Sequence, residues 1–497
     1  MTSILLLALP LAFALVSILF PGSQNPTRRL LLPLAAAAHL ALVVHLWMRG
    51  GDAGDILAAA EPWLYPDALG LLFLTLTSGL FFPISLYAVG DMRRYAEQGA
   101  AAGISERVYV AGMCCFLFSM TAVCLAQDMG LIWVAVEATT LATAPLIYYR
   151  KSQGALEATW KYLLICSVGI ALALLGVFFL AAAAGEAGTV TLRVSGLAAV
   201  APTLNPNLLK AAFIFLLVGY GAKMGLAPMH NWLPDAHSES PSPVSALLSG
   251  TLLNGAFLAI LRAMGVMESA GLADFSNGLL RLFGLFSMGI AGAFILGQKD
   301  YKRLLAYSSV EHMGILAFGA GLGGAGLFAA LLHAANHTFA KGCLFLTAGN
   351  IMFRYHSKST LTVSGVRRAM PLNGALWLAG FLAICGLPPF GLFYSEFSIL
   401  VECFAGGRHG EGALYLFFLA VVFIGMLGVF LAMLRGEPPA LAEGEKPESL
   451  WMALPGLAAI GVTVILGLGI PGFLSDGLSA ATTLLDSSFS AMPGIRP

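Results

Sequence analysis

The sequence predicts an all-α polytopic membrane protein with about 14 transmembrane helices, and three observations carry that reading. First, 58% of the 497 residues are hydrophobic and only 10% are charged, against about 25% charged in an ordinary soluble domain. Second, the apolar runs are continuous, as in ALALLGVFFLAAAA, whereas a barrel strand alternates inward and outward residues over about ten positions. Third, roughly 290 apolar residues at about 20 per span leave room for about 14 crossings. Soluble folding is excluded, because so little polar surface could not cover so much apolar surface. Nucleic-acid binding is excluded too, since 26 Lys+Arg against 26 Asp+Glu leave no basic excess.

The spans follow in order, each bounded by charges, Gly or Pro. The first, 2–20, has no basic leader and no cleavage site, so it is expected to be retained; PGSQNPTRR ends it. Span 2 covers 29–48 and stops at RGGD, span 3 covers 67–90 and stops at DMRR, and span 4 covers 108–126 and stops at QD. Span 5 (129–149) ends at RK, span 6 is 159–184, and span 7 is 207–228. Span 8 (242–265) opens within SPSP, span 9 is 276–297, and QKDYKR leads into span 10 at 302–322. Spans 11 to 14 fall at 325–353, 371–399, 412–434 and 449–473. The seven cysteines form no CxxC pair and read as small packing residues, so they offer neither cluster ligands nor a disulfide framework.

Basic residues alternate between the two sides. The loops after spans 1, 3, 5, 9, 11 and 13 hold 16 of the 26, among them Arg28, Arg93, Arg150, Lys302, Arg303, Lys358 and Lys446. By the positive-inside rule that side is cytoplasmic, and both termini face outward. The loop after span 7 departs from the rule, carrying Asp235 and Glu239 without Lys or Arg. Arg262 and Arg281 lie near span ends, where long side chains are expected to reach the interface.

Three lysines stand inside predicted spans: Lys161, Lys223 and Lys341. A lysine at the centre of a spanning helix costs about 2.5–3.5 kcal/mol, so such residues need partners and mark function. Intramembrane acids are present in Glu137, Glu311 and Glu396, and histidines in His312, His333 and His337. His333, His337 and Lys341 are spaced i, i+4 and i+8, which stacks them on one helical face over about 12 Å. That geometry suits a proton relay. The same His pair could suggest zinc, but there is no HExxH motif and no nearby thiol cluster, so no metal or cofactor site is assigned.

Two spans are interrupted. Span 7 reads VGYGAKMGLAPMH around Lys223, and span 12 reads AICGLPPFGLFYSEF ahead of Glu396. Pro removes a donor and Gly frees carbonyls, which is tolerated where backbone lines a polar cavity. Paired interruptions of this kind point to inverted repeats around a transport path. The expected organisation is therefore helices 1–3 over 1–107, a first five-helix repeat (helices 4–8) over 108–265, and a second, inverted one (helices 9–13) over 276–434. Helix 14 and a short tail occupy 449–497. Helices 7 and 12 are the discontinuous members.

These residues resemble a known family. VEATTLATAPLIY, GYGAKMGLAPMHNWLPDAHSESPSPVSALLSG, KDYKRLLAYSSVEHMGI, LLHAANHTFAKGCLFLTAGNI and GLPPFGLFYSEFSIL are similar to the antiporter-like, proton-pumping subunits of respiratory complex I, Mrp-type cation/proton antiporters and membrane-bound hydrogenases. The EHMGI and LPPFGLFYSEF forms look most like the hydrogenase-4 (formate hydrogenlyase) component F type. The resemblance implies an ion pair between Glu137 and Lys223 that opens and closes during pumping, with Lys161 beside Glu137. It implies a central relay of His333, His337 and Lys341, a contribution from His312, and Glu396 as the terminal exchange residue near the outer side. Many relatives carry Lys or His early in span 8, where this chain has Asn254.

The implied function is a proton-translocating membrane subunit of a redox-driven complex. The alternative is a cation/proton antiporter subunit in which Na⁺ takes part and no redox chemistry is coupled. The chain itself shows no redox or hydrolytic motif, so metal clusters are expected in partner subunits: other membrane subunits and a peripheral redox arm. The setting implied is a prokaryotic inner membrane. Only residues 474–497 follow span 14, so the long lateral helix of some relatives is not expected.

Overall fold

The computed structural model describes residues 2–19, 26–48, 63–97, 105–189, 191–438 and 448–486. Lys446 and the last residues of the tail, including Arg496, lie outside them. Among the described residues the chain is helical throughout, and the few β-type contacts are single bridges. The N-terminal helices are α1 (Thr2–Leu19), α2 (Pro26–Met48) and α3 (Ala68–Glu97). Next come α4 (Glu106–Leu125), α5 (Met129–Ile147) and α6 (Gln153–Glu186). A short α7 (Val194–Val200) precedes α8 (Pro206–Met224) and α9 (Trp232–Glu239). Then follow α10 (Ser242–Ser269), α11 (Ala273–Ile295), α12 (Tyr301–Ala320) and α13 (Gly324–Tyr355). The chain closes with α14 (Pro371–Ile384), α15 (Gly391–Ala405), α16 (His409–Leu434), α17 (Leu450–Leu468) and α18 (Gly472–Leu485).

Eleven of the described helices are long and apolar enough to cross a membrane. The other three expected spans coincide with α12, with α13, and with the pair α14–α15. These carry the ionisable residues or are split in two, so apolarity alone does not mark them. One short helix, α18, follows the expected last span.

Both predicted interruptions are present, and they are built alike. α8 ends at Gly225 (φ 87°), two residues before a cis Ala227–Pro228 bond; α14 is followed by Gly386 (φ 61°) and a cis Pro388–Pro389 bond. The N–H of Leu226 reaches back to Gly221 O (2.8 Å), and that of Leu387 to Leu382 O (3.0 Å). Each break thus ends one half-helix in the left-handed turn that glycine favours and launches a second half-helix, α9 or α15.

A second device also occurs twice. Asp128 caps α5, its Oδ1 accepting from Gly130 N (2.9 Å) and Leu131 N (3.2 Å); Asp300 caps α12 in the same way through Lys302 N (2.8 Å) and Arg303 N (3.1 Å). Beside each cap lies a two-bond bridge to a distant loop. Met129 N donates to Leu192 O and Val194 N to Gln127 O, both at 2.9 Å; Tyr301 N donates to Lys358 O (3.1 Å) and Thr360 N to Lys299 O (2.8 Å). The N-terminus of each helix is thereby fixed with its orphan donors satisfied.

The radial order follows polarity. α10 is buried around its whole circumference, while α16 and α1 bury about a quarter of theirs, so α10 is interior and the others form the rim. α10 is not a regular helix: Leu248–Leu252 form a π turn. On its inner side runs α13, whose residues from Gly326 to Ile351 are almost all buried.

Candidate functional site

Most of the ionisable residues gather along the α5–α8–α10–α12–α13–α15 interior, with Glu137 half-buried at its edge. In the first half, Lys223 occupies the last turn of α8, just before the break, and is buried. Its Nζ donates to Thr140 Oγ1 and to Tyr162 OH, each at 2.7 Å. The Thr140 hydroxyl in turn donates to Glu137 Oε2 (3.0 Å), and Ser167 donates to Glu137 Oε1 (3.2 Å). The expected direct ion pair is therefore not formed. Thr140, one turn beyond Glu137 on α5, stands between the charges and connects them by two hydrogen bonds. Tyr162 OH continues the network to Thr143 Oγ1 (2.6 Å).

Lys161 does not sit beside Glu137. Its side chain is 45% exposed and its ammonium pairs with Glu157 (2.6 Å) and Asp235 (2.9 Å). The reason is helix length: α6 has 34 residues, about 51 Å at 1.5 Å per residue, well beyond a hydrocarbon core of about 30 Å. Lys161, near its start, falls in a charged knot. Asp235 there also binds Arg303 (2.5 Å), and Glu239 binds Lys358 (2.7 Å). This accounts for the acidic loop after span 7, whose carboxylates meet the basic loops after spans 9 and 11. Lys302, deep in the knot, donates to Ser240 O (2.6 Å) and Ser238 O (3.4 Å).

At the centre, Asn254 Nδ2 donates to Gly250 O (2.9 Å), inside the π turn, and to Thr338 Oγ1 (2.8 Å) on α13. Its Oδ1 is buried without a protein partner. Asn254 thus ties α10 to the relay helix by hydrogen bonds, without offering a titrating group.

In the second half, α13 carries His333, His337 and Lys341, all buried. Lys341 Nζ donates to Leu305 O (2.7 Å) and to Ser308 Oγ, both on α12. His312 Nδ1 lies 2.9 Å from His333 Nε2, and His333 Nδ1 lies 2.9 Å from Ser395 Oγ. The Ser395 hydroxyl hydrogen goes to Leu392 O (2.9 Å), so Ser395 accepts from His333 Nδ1–H, and His333 Nε2 accepts from His312 Nδ1–H. The His337 ring leans on His312 with centroids 5.2 Å apart, yet neither of its nitrogens has a protein partner.

Glu396, next to Ser395 on α15, is buried, and its Oε1 has no protein partner. It lines a cavity of about 340 Å³ together with Glu311, Cys385 and Gly386. A Cβ at Gly386 would overlap Glu396 Oε2. Gly386→Ala is therefore expected to lower the thermal unfolding temperature in detergent, since a left-handed alanine costs about 1–2 kcal/mol before the carboxylate is displaced.

Several polar groups of this path escape a sequence reading. Thr140, Tyr162 and Ser395 are residue types too common to single out. His237, in the WLPDAH segment, is fully buried on α9, stacked on Phe345 at 4.9 Å, with neither ring nitrogen paired to protein. No spacing singles it out, since it lies in the last turn of α9, nine residues beyond Pro228. Arg262 and Arg281 do not reach the interface as expected. Arg262 is 1% exposed and binds Asp67 (3.0 and 3.1 Å), Gln127 Oε1 (2.8 Å) and Cys124 O (3.3 Å). Arg281 pairs with Glu411 (3.0 Å) and donates to Gly321 O (2.7 Å).

Residues 126–424 match the family described as NADH:quinone oxidoreductase/Mrp antiporter, TM. The chain is 38% identical over 381 residues to the hydrogenase-4 component F homolog of Methylacidiphilum infernorum, covering 75% of this chain and 79% of that protein. It is 27% identical over 496 residues to NADH-quinone oxidoreductase subunit N of Desulforudis audaxviator, covering 93% and 94%. The fold superimposes on a chain of the membrane-bound sulfane sulfur reductase, an archaeal respiratory membrane complex, with a TM-score of 0.85 at 22% identity, covering 97% of each.

Proposed function

We infer that this chain, which belongs to the NADH:quinone oxidoreductase/Mrp antiporter transmembrane family, is the proton-translocating membrane subunit of a redox-driven complex of the hydrogenase-4 type. The observation that carries the reading is the hydrogen-bonded link from half-buried Glu137 through Thr140 to buried Lys223, together with the buried set Lys341, His337, His312, His333, Ser395 and Glu396, in which His312, His333 and Ser395 are hydrogen-bonded in series. An apolar bundle does not retain so many polar groups at its centre without a task for them.

The chemistry is proton transfer with no bond-making by the protein. Lys223 keeps its proton in a dry site with the help of the carboxylate one hydroxyl away. A movement of Glu137 weakens that support, and the proton leaves towards Lys341 and the histidines. His333 and His312 share one hydrogen across 2.9 Å, and Glu396 passes protons out through its cavity. Moving one charge against 100 mV costs about 2.3 kcal/mol, which a change in one close charge pair supplies. The energy comes from redox chemistry in partner subunits bearing metal clusters, with other membrane subunits alongside.

The twin caps and twin breaks support two five-helix units, 108–265 and 276–434. The capped helices α5 and α12, the fifth and tenth expected spans, cross in opposite directions if spans alternate, so identical locks fall on opposite faces, as an inverted repeat requires. The charged knot of Lys161, Asp235, Arg303, Glu239 and Lys358 lies on the basic, cytoplasmic side, which leaves both termini outward in a prokaryotic inner membrane.

The Mrp antiporters within the family keep a second reading open, cation/proton exchange without redox coupling. Reconstitution of the intact complex into proteoliposomes separates the two. Redox turnover is expected to drive proton uptake at unchanged rate with Na⁺ omitted. Proton movement that requires added Na⁺ and continues without the redox partners would overturn the assignment.

A further inference from the structure

The outer end of the relay has the donors of a transition-metal site. The ligating atoms of His312, His333 and Glu396 all lie within 4.8 Å of one another, and all three side chains are buried. One of their polar atoms, Glu396 Oε1, has no protein partner, and the unpaired His312 Nε2 is free to carry that ring's proton when Nδ1 ligates. We propose that His312, His333 and Glu396 bind a borderline divalent metal ion, Zn²⁺ in the first instance, at the exit of the proton path.

The donor set selects the class. Two imidazoles and one carboxylate suit Zn²⁺, whereas Mg²⁺ and Ca²⁺ favour all-oxygen shells. The fit is close. Tetrahedral Zn²⁺ with bonds of about 2.0–2.1 Å sets its ligand atoms about 3.3–3.4 Å apart. The His312 Nδ1 to His333 Nε2 separation of 2.9 Å widens by a few tenths of an ångström to admit it, and the Glu396 carboxylate, within 4.8 Å of both rings' ligating atoms, supplies the third donor. One ligand is already oriented: Ser395 accepts from His333 Nδ1–H, which fixes that ring and leaves the Nε2 lone pair for the metal. The cavity that Glu396 shares with the second carboxylate, Glu311, is also lined by Phe397 and Leu416, both exposed at the bundle surface.

The consequence rests on the transport reading. The metal takes the same His333 Nε2 lone pair that holds the hydrogen bond from His312, so metal and shared proton exclude each other. Zn²⁺ arriving from the outer side then acts as a reversible stopper. Binding itself does not depend on transport, so it is tested without turnover.

The intact complex in mild detergent is stripped with a chelator, desalted and titrated with Zn²⁺ alone. The zinc X-ray absorption edge should report two imidazoles and a carboxylate oxygen at about 2.0–2.1 Å. His333→Gln and Glu396→Gln should each remove one Zn²⁺ per copy of this chain, with affinity falling at least about 100-fold, beyond the 10–100-fold typical of losing a residue that only orients a ligand. His337→Gln should leave the count unchanged. Equal binding in wild type, His333→Gln and Glu396→Gln overturns the proposal. So does a wild-type spectrum without paired imidazoles, which decides the matter even where a variant fails to assemble.

Discussion

Lys223→Ala is expected to stop proton translocation while redox turnover continues and the complex assembles. The lysine is buried at the last turn before a helix break and holds Thr140 and Tyr162 at 2.7 Å each. Removing the ammonium leaves Glu137 with hydroxyl partners and no cation to exchange with. Glu137→Gln should do the same from the other side, because an amide keeps the shape and loses the charge. Thr140→Val is the sharper test, since it leaves both charges and deletes only the hydroxyl between them. A single lost hydrogen bond to a charged group is worth about 1.5–3 kcal/mol, so a pumping rate reduced about 10–100-fold is expected at that position. Proton uptake per electron pair in proteoliposomes measures all three. Wild-type stoichiometry in Lys223→Ala or Glu137→Gln would remove the assigned roles.

The second large effect is structural. Asp67→Ala should destabilise the protein by about 3–5 kcal/mol, the range for stripping one partner from a buried ion pair. Arg262 is left almost without exposure and keeps only Gln127 and the Cys124 carbonyl as acceptors. The double replacement Asp67→Ala with Arg262→Leu should recover most of that loss, because the penalty lies in the orphaned charge and an apolar pair carries none. Thermal unfolding of the purified protein in detergent, with yield of assembled complex, reads both. A double variant as unstable as the single one would place the cost in packing instead.

The architecture was legible because it depends on local chemistry. Apolar runs mark helices wherever they occur, and the Gly and Pro around Lys223 and ahead of Glu396 announce the breaks that the structure contains. The i, i+4, i+8 spacing of His333, His337 and Lys341 needs only an unbroken helix, which α13 supplies. What failed to show is tertiary. Whether Lys161 lies in the interior depends on how far α6 overshoots the bilayer, and whether Arg262 reaches the interface depends on Asp67, 195 residues away. Thr140 and Ser395 became visible only when the charges they connect were placed. His237 has no pattern of its own, and its meaning comes from the wall of α13 against which it stacks.

The π turn of α10 has a geometric consequence. Each residue of an α-helix advances about 100° around the axis, and a π turn fits one residue more into its loop. Upstream of Leu248–Leu252, α10 is anchored near the charged knot, where Ser245 Oγ donates to His237 O (2.9 Å). Downstream it presents Asn254 to Thr338 and Arg262 to Asp67. The extra residue therefore sets the angular phase between the two ends of the interior helix. Winding the same residues as a regular α-helix would swing both downstream side chains about a quarter-turn off their partners, whereas deleting one residue there would restore regular winding and leave them nearly in place. The helix works as a keyed shaft, cut so that one rotation alone engages the relay and the buried ion pair together.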